Sequence, residues 1–363
     1  MTILIFFAGL IALTAGAELL VRGASKMALS FGISPLVVGL TIVAFGTSTP
    51  EVAVSVGAIL DGQTDIAVGN VVGSNIFNLL FILGMSALVA PLVVHIQLIR
   101  QEVPILLGAS LLLLVFSLDG RVGVVEGIIL FSLLVVYTVF LVVQSRRETQ
   151  EAKDEYAGEF RPSSKRGWDG RLPVQIGLIV LGLTMLVVGA GWLVSSAVVF
   201  AKTLGVSDVM IGLTIVAVGT SIPDAATSLM AAIKGERDIA VGNVVGSSTF
   251  NILGCVGISG LAAGNSGLVI PPSLMAFDIW VMVAAALACL PVFITGREIA
   301  RWEGGMLLGL YVAYLSYLVL VERQSGALDW YNTAMTSFVL PMAVIALVIS
   351  MVRRTADTDG SID

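Results

Sequence analysis

Charge is what this sequence has least of: only 12% of its 363 residues are Asp, Glu, Lys or Arg, against roughly 25% in an ordinary soluble domain. With 57% hydrophobic residues and a mean hydropathy of +1.01, that shortage excludes a soluble globular domain. Histidine is nearly absent, and the single one, His95, lies in a short loop beside Arg100, where it reads as a solvated residue. With no histidine in an apolar span and no nucleophile–base pair, an enzyme is the least favoured class. The two cysteines, Cys255 and Cys289, both fall in apolar segments, are not at metal-site spacing and leave the redox compartment open. At a formal net charge of −6, no nucleic-acid partner is expected, and neither is a cofactor.

What is present is apolar length. Runs of about 17 to 25 apolar residues, long enough to cross a hydrocarbon core of about 30 Å, recur from end to end. They predict helices at 2–22, 36–59, 66–90, 102–118, 123–143, 174–197, 209–233, 239–262, 273–294, 303–321 and 334–352. The chain therefore reads as an all-α polytopic membrane protein. Its first segment lacks a charged leader and a small-residue cleavage site, so it is read as a retained helix. The one sizeable polar stretch, 144–172, carries both signs of charge with Pro162, Gly167 and Gly170, and reads as a linker between halves 1–143 and 173–321. Residues 322–363 form an appended helix and tail with no counterpart in the first half.

The halves are related by an internal repeat, the feature that most constrains a fold before any local reading. GTSTPEVAVSVGAILDGQTDIAVGNVVGSNIFN, from Gly46 to Asn78, returns as GTSIPDAATSLMAAIKGERDIAVGNVVGSSTFN, from Gly219 to Asn251, 173 residues downstream (219 minus 46). Placing the linker in the cytoplasm puts all of the 19 Lys and Arg except Arg121, Lys202 and Arg323 inside, as basic residues in short loops prefer. The N-terminus is then outside the cell membrane and the C-terminus cytoplasmic. Five helices per repeat is an odd number, so the second copy enters the membrane from the opposite face. Inverted repeats with their distinctive segments at matching positions are a pattern of secondary transporters, whose substrate sites lie near the midplane. Trp302, Trp330 and Tyr331 fit interfacial belts.

Each copy places a carboxylate, Glu51 or Asp224, in an otherwise apolar segment with no Lys or Arg near mid-span. An intramembrane carboxylate costs several kcal/mol unless it is paired, protonated or bound to a cation. Pro50 and Pro223 remove a backbone donor one residue earlier, so the helix is expected to kink or unwind and free carbonyls there. Such carbonyls are hard oxygen ligands of the kind that coordinate Na+ and Ca2+. Thr47, Ser48, Thr220 and Ser221 add hydroxyls, with Thr47 and Thr220 one turn from the acids and on the same face. In the second half of each motif, Asp65 and Asp238 are expected to cap helix N-termini. Gly69, Gly73, Gly242 and Gly246 have the small-xxx-small spacing that lets helices approach. Ser74 with Asn78, and Ser247 with Asn251, share one face at i, i+4 and are expected to be ligands or their supports.

These paired motifs resemble the two α-repeats of the sodium/calcium exchanger family, within the wider cation/calcium antiporter superfamily. The resemblance covers both halves apart from the linker and the last helix. It implies ten core helices in two inverted five-helix repeats and a diamond of cation positions between the second, third, seventh and eighth helices. It makes Glu51 and Asp224 the central carboxylates shared by Ca2+ and Na+. It makes Thr47, Ser48, Thr220 and Ser221 side-chain or carbonyl ligands, Ala44 and Ala217 carbonyl ligands one turn earlier, and Ser74, Asn78, Ser247 and Asn251 the remainder. Asn251 stands where potassium-dependent members have Asp, which argues for potassium independence. Some microbial members have Glu where this chain has Asp224, and Ser248-Thr249 replaces Asn75-Ile76 in the second copy, which breaks the local symmetry. G-T-S before both acids contrasts with the Asn-Ala usual in the proton-coupled branch. The expected function is thus Na+/Ca2+ antiport by alternating access, with H+/Ca2+ antiport and a cation channel as the alternatives. Two close acids titrate as a coupled pair, so acid pH should inhibit by protonating the site.

Overall fold

The computed structural model describes residues 2–31, 33–147, 171–203, 217–294, 297–346 and 348. Among these, nine helices are long and apolar enough to cross a membrane. We label the helices in chain order: α1 Thr2–Phe31, α2 Pro35–Leu60, α3 Thr64–Val89, α4 Leu98–Phe116, α5 Val124–Arg147, α6 Leu172–Thr203, α7 Ile222–Lys234, α8 Arg237–Ser266, α9 Leu274–Ile294, α10 Arg301–Glu322 and α11, which begins at Leu328 and continues beyond Val339.

Several boundaries differ from the sequence reading. Helix α1 runs nine residues further than expected, so Arg22 and Lys26 sit in its last turns and not in a loop. Gly23, Ala24, Ser25, Met27 and Ala28 are buried there, and long basic side chains can reach the interface from inside a helix. Residues 144–147, assigned to the linker, are the last turn of α5, while 148–170 lie outside the described residues. So do 209–216 of the expected seventh helix and 349–352 of the eleventh. Asp65 and Asp238 do not occupy the cap positions; these are Gln63 and Glu236, neither making a side-chain cap bond, and Asp238 falls in the first turn. At the loop between α7 and α8, burial lifts the Glu236 carboxyl above its ordinary range, opposed by a 2.8 Å hydrogen bond from Ser25 and by the positive charges of Lys26 and Lys234.

The inversion is visible in how equivalent helices meet. Helices α1 and α6 pack with Gly9 opposite Gly189 and Gly16 opposite Gly182; a Cβ at Gly9 or Gly16 would lie 2.9 Å from the facing carbonyl oxygen. One number rises as the other falls, so the two helices are antiparallel, as equivalent elements must be when the relating axis lies in the membrane plane. Gly84 against Gly304 and Gly127 against Gly257 repeat the device for α3 with α10 and α5 with α8. Four two-residue strands follow the same symmetry: β1 Leu92–Val93 pairs antiparallel with β4 Glu298–Ile299, and β2 Arg121–Val122 with β3 Leu268–Val269. Each pair joins one repeat to the other at a membrane boundary.

A second symmetric feature escaped the sequence reading. Glu102, fully buried at the start of α4, receives Tyr137 Oη at 2.6 Å and Gln97 Nε2 at 2.9 Å. At the equivalent place in the other repeat, Tyr314 Oη donates to Asp278 at 2.8 Å. These acids are satisfied by protein donors and tie α4 to α5 and α9 to α10. Removing one partner of a buried pair costs about 1–3 kcal/mol. Tyr137→Phe is therefore expected to lower the thermal midpoint of the purified protein while leaving its half-saturating ion concentrations unchanged.

Candidate functional site

Helix α2 is assembled from pieces. A short α segment gives way to a π turn over Gly39–Val43, α geometry returns over Ala44–Thr47, and Ser48 interrupts it at φ −86°, ψ 4°. The chain becomes helical again at Thr49, with Pro50 in the first turn, where a missing N–H costs nothing. Helix α7 is built alike, with Ala217–Gly219 ahead of it, Ser221 at φ −89°, ψ 4° and Pro223 in the first turn. Among the described residues the expected disruption is one residue wide in α2, at Ser48, and two wide ahead of α7, at Thr220 and Ser221. Its consequence is that Glu51 and Asp224 each occupy the first turn of a new half-helix, at its positive dipole end.

Helices α3 and α8 cross these breaks. Gly242 and Gly246 of α8 press on α2, a Cβ at Gly246 falling 2.7 Å from both Leu40 Cα and Leu40 O, as the small-xxx-small spacing predicted, whereas Gly69 and Gly73 of α3 meet no close neighbour among the described residues. Both α3 and α8 carry a π turn at the matching place, Phe77–Ile82 and Asn251–Val256, which begins next to or at Asn78 and Asn251. Single π turns recur at functional sites because they re-aim side chains.

The side chains converge in the dry centre of the bundle. Glu51, Asp224, Thr47, Ser48, Ser221, Ser247, Asn78 and Asn251 have no measurable exposure, and Ser74 and Thr220 are nearly as buried. Ser221 Oγ lies 2.9 Å from Glu51 Oε1 and 2.9 Å from Ser74 Oγ. Ser247 Oγ donates to Asp224 Oδ1 at 2.9 Å and Asn78 Nδ2 to Asp224 Oδ2 at 3.4 Å. Each acid is therefore touched by the opposite repeat, Glu51 by Ser221 and Asp224 by Asn78. The Ala44 carbonyl already accepts Ser48 N at 3.0 Å and Thr47 Oγ1 at 3.3 Å, and Ala217 opens the turn before Ser221. Asn251 Oδ1 accepts the Cys255 thiol at 3.5 Å.

The two threonines have partners beyond the acids, although Thr47 also reaches the Asp224 carboxylate. Thr47 Oγ1 lies 2.9 Å from Val43 O, 3.3 Å from Ala44 O and 3.1 Å from Asn243 Oδ1, which share its single proton; Thr220 Oγ1 donates to Asn70 Oδ1 at 3.2 Å. Asn70 and Asn243 were given no role by the sequence reading, although each stands at the same place in both copies of GNVVGS.

The electrostatics of this centre are one-sided. No Lys or Arg occurs in 27–99, 203–233 or 238–296, the stretches that build it. Among the described residues, Ser48 Oγ, Glu51 Oε2 and Asn78 Oδ1 are buried without a hydrogen-bond partner. Among the described residues no three His, Cys, Asp or Glu side chains gather into a metal-binding group. A cation here would meet two carboxylates and a shell of neutral hydroxyl, amide and carbonyl oxygens, which suits hard ions held loosely enough to leave.

Known proteins resemble this chain in sequence and fold. The family model described as sodium/calcium exchanger protein matches residues 1–143 and 174–320. The chain is 36% identical over 320 residues to the inner membrane protein YrbG of Escherichia coli, covering 86% of this chain and 97% of that protein. It is 34% identical over 347 residues to the sodium/calcium exchanger MaX1 of Methanosarcina acetivorans, covering 88% and 98%. The solved structure of the sodium-calcium exchanger NCX_Mj soaked with Na+ and Ca2+ superposes with a TM-score of 0.74 at 29% identity, covering 87% of this chain and 98% of that one. With both repeats matched by the family model and two relatives above 30% identity along nearly their whole length, this chain belongs to the sodium/calcium exchanger family.

Proposed function

We propose that the protein exchanges Na+ for Ca2+ by alternating access, without K+, through one site centred on Glu51 and Asp224. The observation that carries this reading is a pair of fully buried carboxylates with no basic residue in the surrounding segments, beside three buried oxygens that lack protein partners. Hard cations satisfy all of these at once. Ser48, Ser221, Ser74, Asn78, Ser247 and Asn251 supply side-chain oxygens, and Ala44, Ala217, Thr47 and Thr220 supply carbonyls. One Ca2+ cancels the charge of −2, and several Na+ on the same oxygens replace it, so occupancy is mutually exclusive. The neutralised site can face either side of a low-dielectric barrier; the empty, doubly negative one cannot, and this enforces exchange. Sodium coupling is supported by G-T-S before both acids and by the similarity to the sodium/calcium exchanger MaX1; potassium independence is supported by Asn251.

In this reading the repeats 1–147 and 172–321 flank a cytoplasmic linker at 148–171, and 322–363 are an appendage. The distribution of basic residues supports an N-terminus outside and a C-terminus inside, and the similarity to the inner membrane protein YrbG supports a cell-membrane location. The test is Ca2+ uptake into proteoliposomes loaded with Na+ and diluted into Na+-free medium, with K+ present or absent. Uptake that requires internal Na+ and ignores K+ is expected. Uptake indifferent to Na+ but driven by a pH gradient would assign H+ coupling instead, and Ca2+ flux without any counter-ion would mean a channel.

A further inference from the structure

Asn70 and Asn243 stand at equivalent positions of α3 and α8, and both are buried. The Asn70 amide nitrogen lies 3.3 Å from the Glu51 carbonyl oxygen and 3.2 Å from Ser55 Oγ, while its oxygen takes the Thr220 hydroxyl at 3.2 Å. Asn243 repeats the set, with Asp224 O at 3.3 Å, Ser228 Oγ at 2.9 Å and the Thr47 hydroxyl at 3.1 Å. A carboxamide alone among side chains of this size has two N–H donors and an acceptor, and both ends are engaged here. Each asparagine grips the backbone of its own repeat's acid with one end and the hydroxyl of the other repeat's broken helix with the other. The links are crossed: Thr47, one turn before Glu51, is tied to the residue that holds Asp224, and Thr220, one turn before Asp224, is tied to the residue that holds Glu51.

We propose that Asn70 and Asn243 are positioning residues that fix the first turns carrying Glu51 and Asp224, and that the Thr47 and Thr220 hydroxyls act through these amides. The assignment rests on the proposed cation site and deepens it. A fully engaged buried amide holds one geometry, because every alternative orientation leaves a donor or acceptor unpaired. An acid whose helical turn is held in this way presents its free oxygen to an ion without paying reorganisation at the moment of binding.

The test is equilibrium binding of radioactive Ca2+ to the purified protein. Asn243→Ala and Thr47→Val are each expected to raise the dissociation constant about ten-fold, the worth of one buried hydrogen-bonded pair. The double variant should be no weaker than the weaker single one, because the two act through one contact. Asn70→Ala with Thr220→Val should behave alike, while the uncrossed pairs, Thr47 with Asn70 and Thr220 with Asn243, should multiply. Thr47→Ser and Thr220→Ser keep the hydroxyl and should recover most of the affinity that the valine variants lose. Because the two crossed pairs are independent, either decides the matter if a variant of the other fails to reach the membrane. Multiplying effects within the crossed pairs, as expected of threonine hydroxyls that bind the ion directly, would overturn the assignment. So would unchanged affinity in the asparagine variants. A parent that binds no Ca2+ would overturn the cation site as well.

Discussion

Glu51→Gln and Asp224→Asn are each expected to abolish Na+-driven Ca2+ uptake, by roughly 100-fold or more, without loss of folded protein. The argument is electrostatic. Both acids are wholly buried in segments that contain no Lys or Arg, so each supplies half of the charge that cancels a bound Ca2+. Two unit charges 4 Å apart interact by about 4 kcal/mol at the effective dielectric near protein surfaces, and more when drier. Losing one charge from the site therefore exceeds the ~3 kcal/mol that corresponds to 100-fold. Stability moves the other way, since replacing an uncompensated intramembrane carboxylate by its amide removes a standing cost. The expected result is a thermal midpoint equal to or above the parent's, alongside dead transport. A fall in both would mean that these acids serve the fold and not the ion.

Gly246→Val is expected to be as damaging for a different reason. A Cβ there would stand 2.7 Å from Leu40 Cα and Leu40 O and 2.9 Å from Ala44 Cβ, so the new atoms meet mostly main chain that cannot rotate away. Overpacking ordinarily costs about 1–3 kcal/mol, and here the relief is to push α8 off α2. Ser247, the next residue, donates to Asp224, and Asn243, one turn earlier, accepts from Thr47, so that displacement opens the site. We expect at least ten-fold slower uptake together with a lowered thermal midpoint, checked on the purified protein. Gly191→Ala in the exposed face of α6 is the control: nothing lies within 4 Å of its Cβ, and alanine is the better helix former. Parental uptake in Gly246→Val would mean that α2 and α8 do not pack closely during transport.

Much of the architecture was legible from two features of the sequence. The repeated GTS-x-P-acid unit located both helix breaks and both acids, because a proline and a carboxylate in an apolar run have few inexpensive explanations. The odd number of helices per repeat implied inversion before any contact was known, and the facing of Gly9 with Gly189 and Gly16 with Gly182 agrees with it. What stayed hidden depends on side chains meeting across long separations. Glu102 looked like a boundary residue, since nothing local announces a tyrosine 35 positions away whose hydroxyl it accepts. Asn70 and Asn243 stand in the repeat in plain view, yet their partners Thr220 and Thr47 are on the other half of the molecule. Thr47 and Thr220 share a face with the acids, as the helical period requires, but a hydroxyl rotor is aimed by its acceptor, and the acceptor is an asparagine of the opposite repeat. Arg22 and Lys26 misled the first boundary because charge was taken to end a helix that in fact carries it to the interface.

The central claim is a single site that Ca2+ and Na+ occupy in turn. The most direct measurement is the binding of radioactive Ca2+ to the purified protein at rising Na+ concentration, with choline holding ionic strength constant. The account predicts that Na+ raises the apparent dissociation constant for Ca2+ steeply, leaves the number of sites at saturating Ca2+ unchanged, and has nothing to compete with in Glu51→Gln or Asp224→Asn. Ca2+ binding unaffected by Na+ in a protein whose Ca2+ uptake nevertheless requires Na+ would contradict it, because the two ions would then be using different sites.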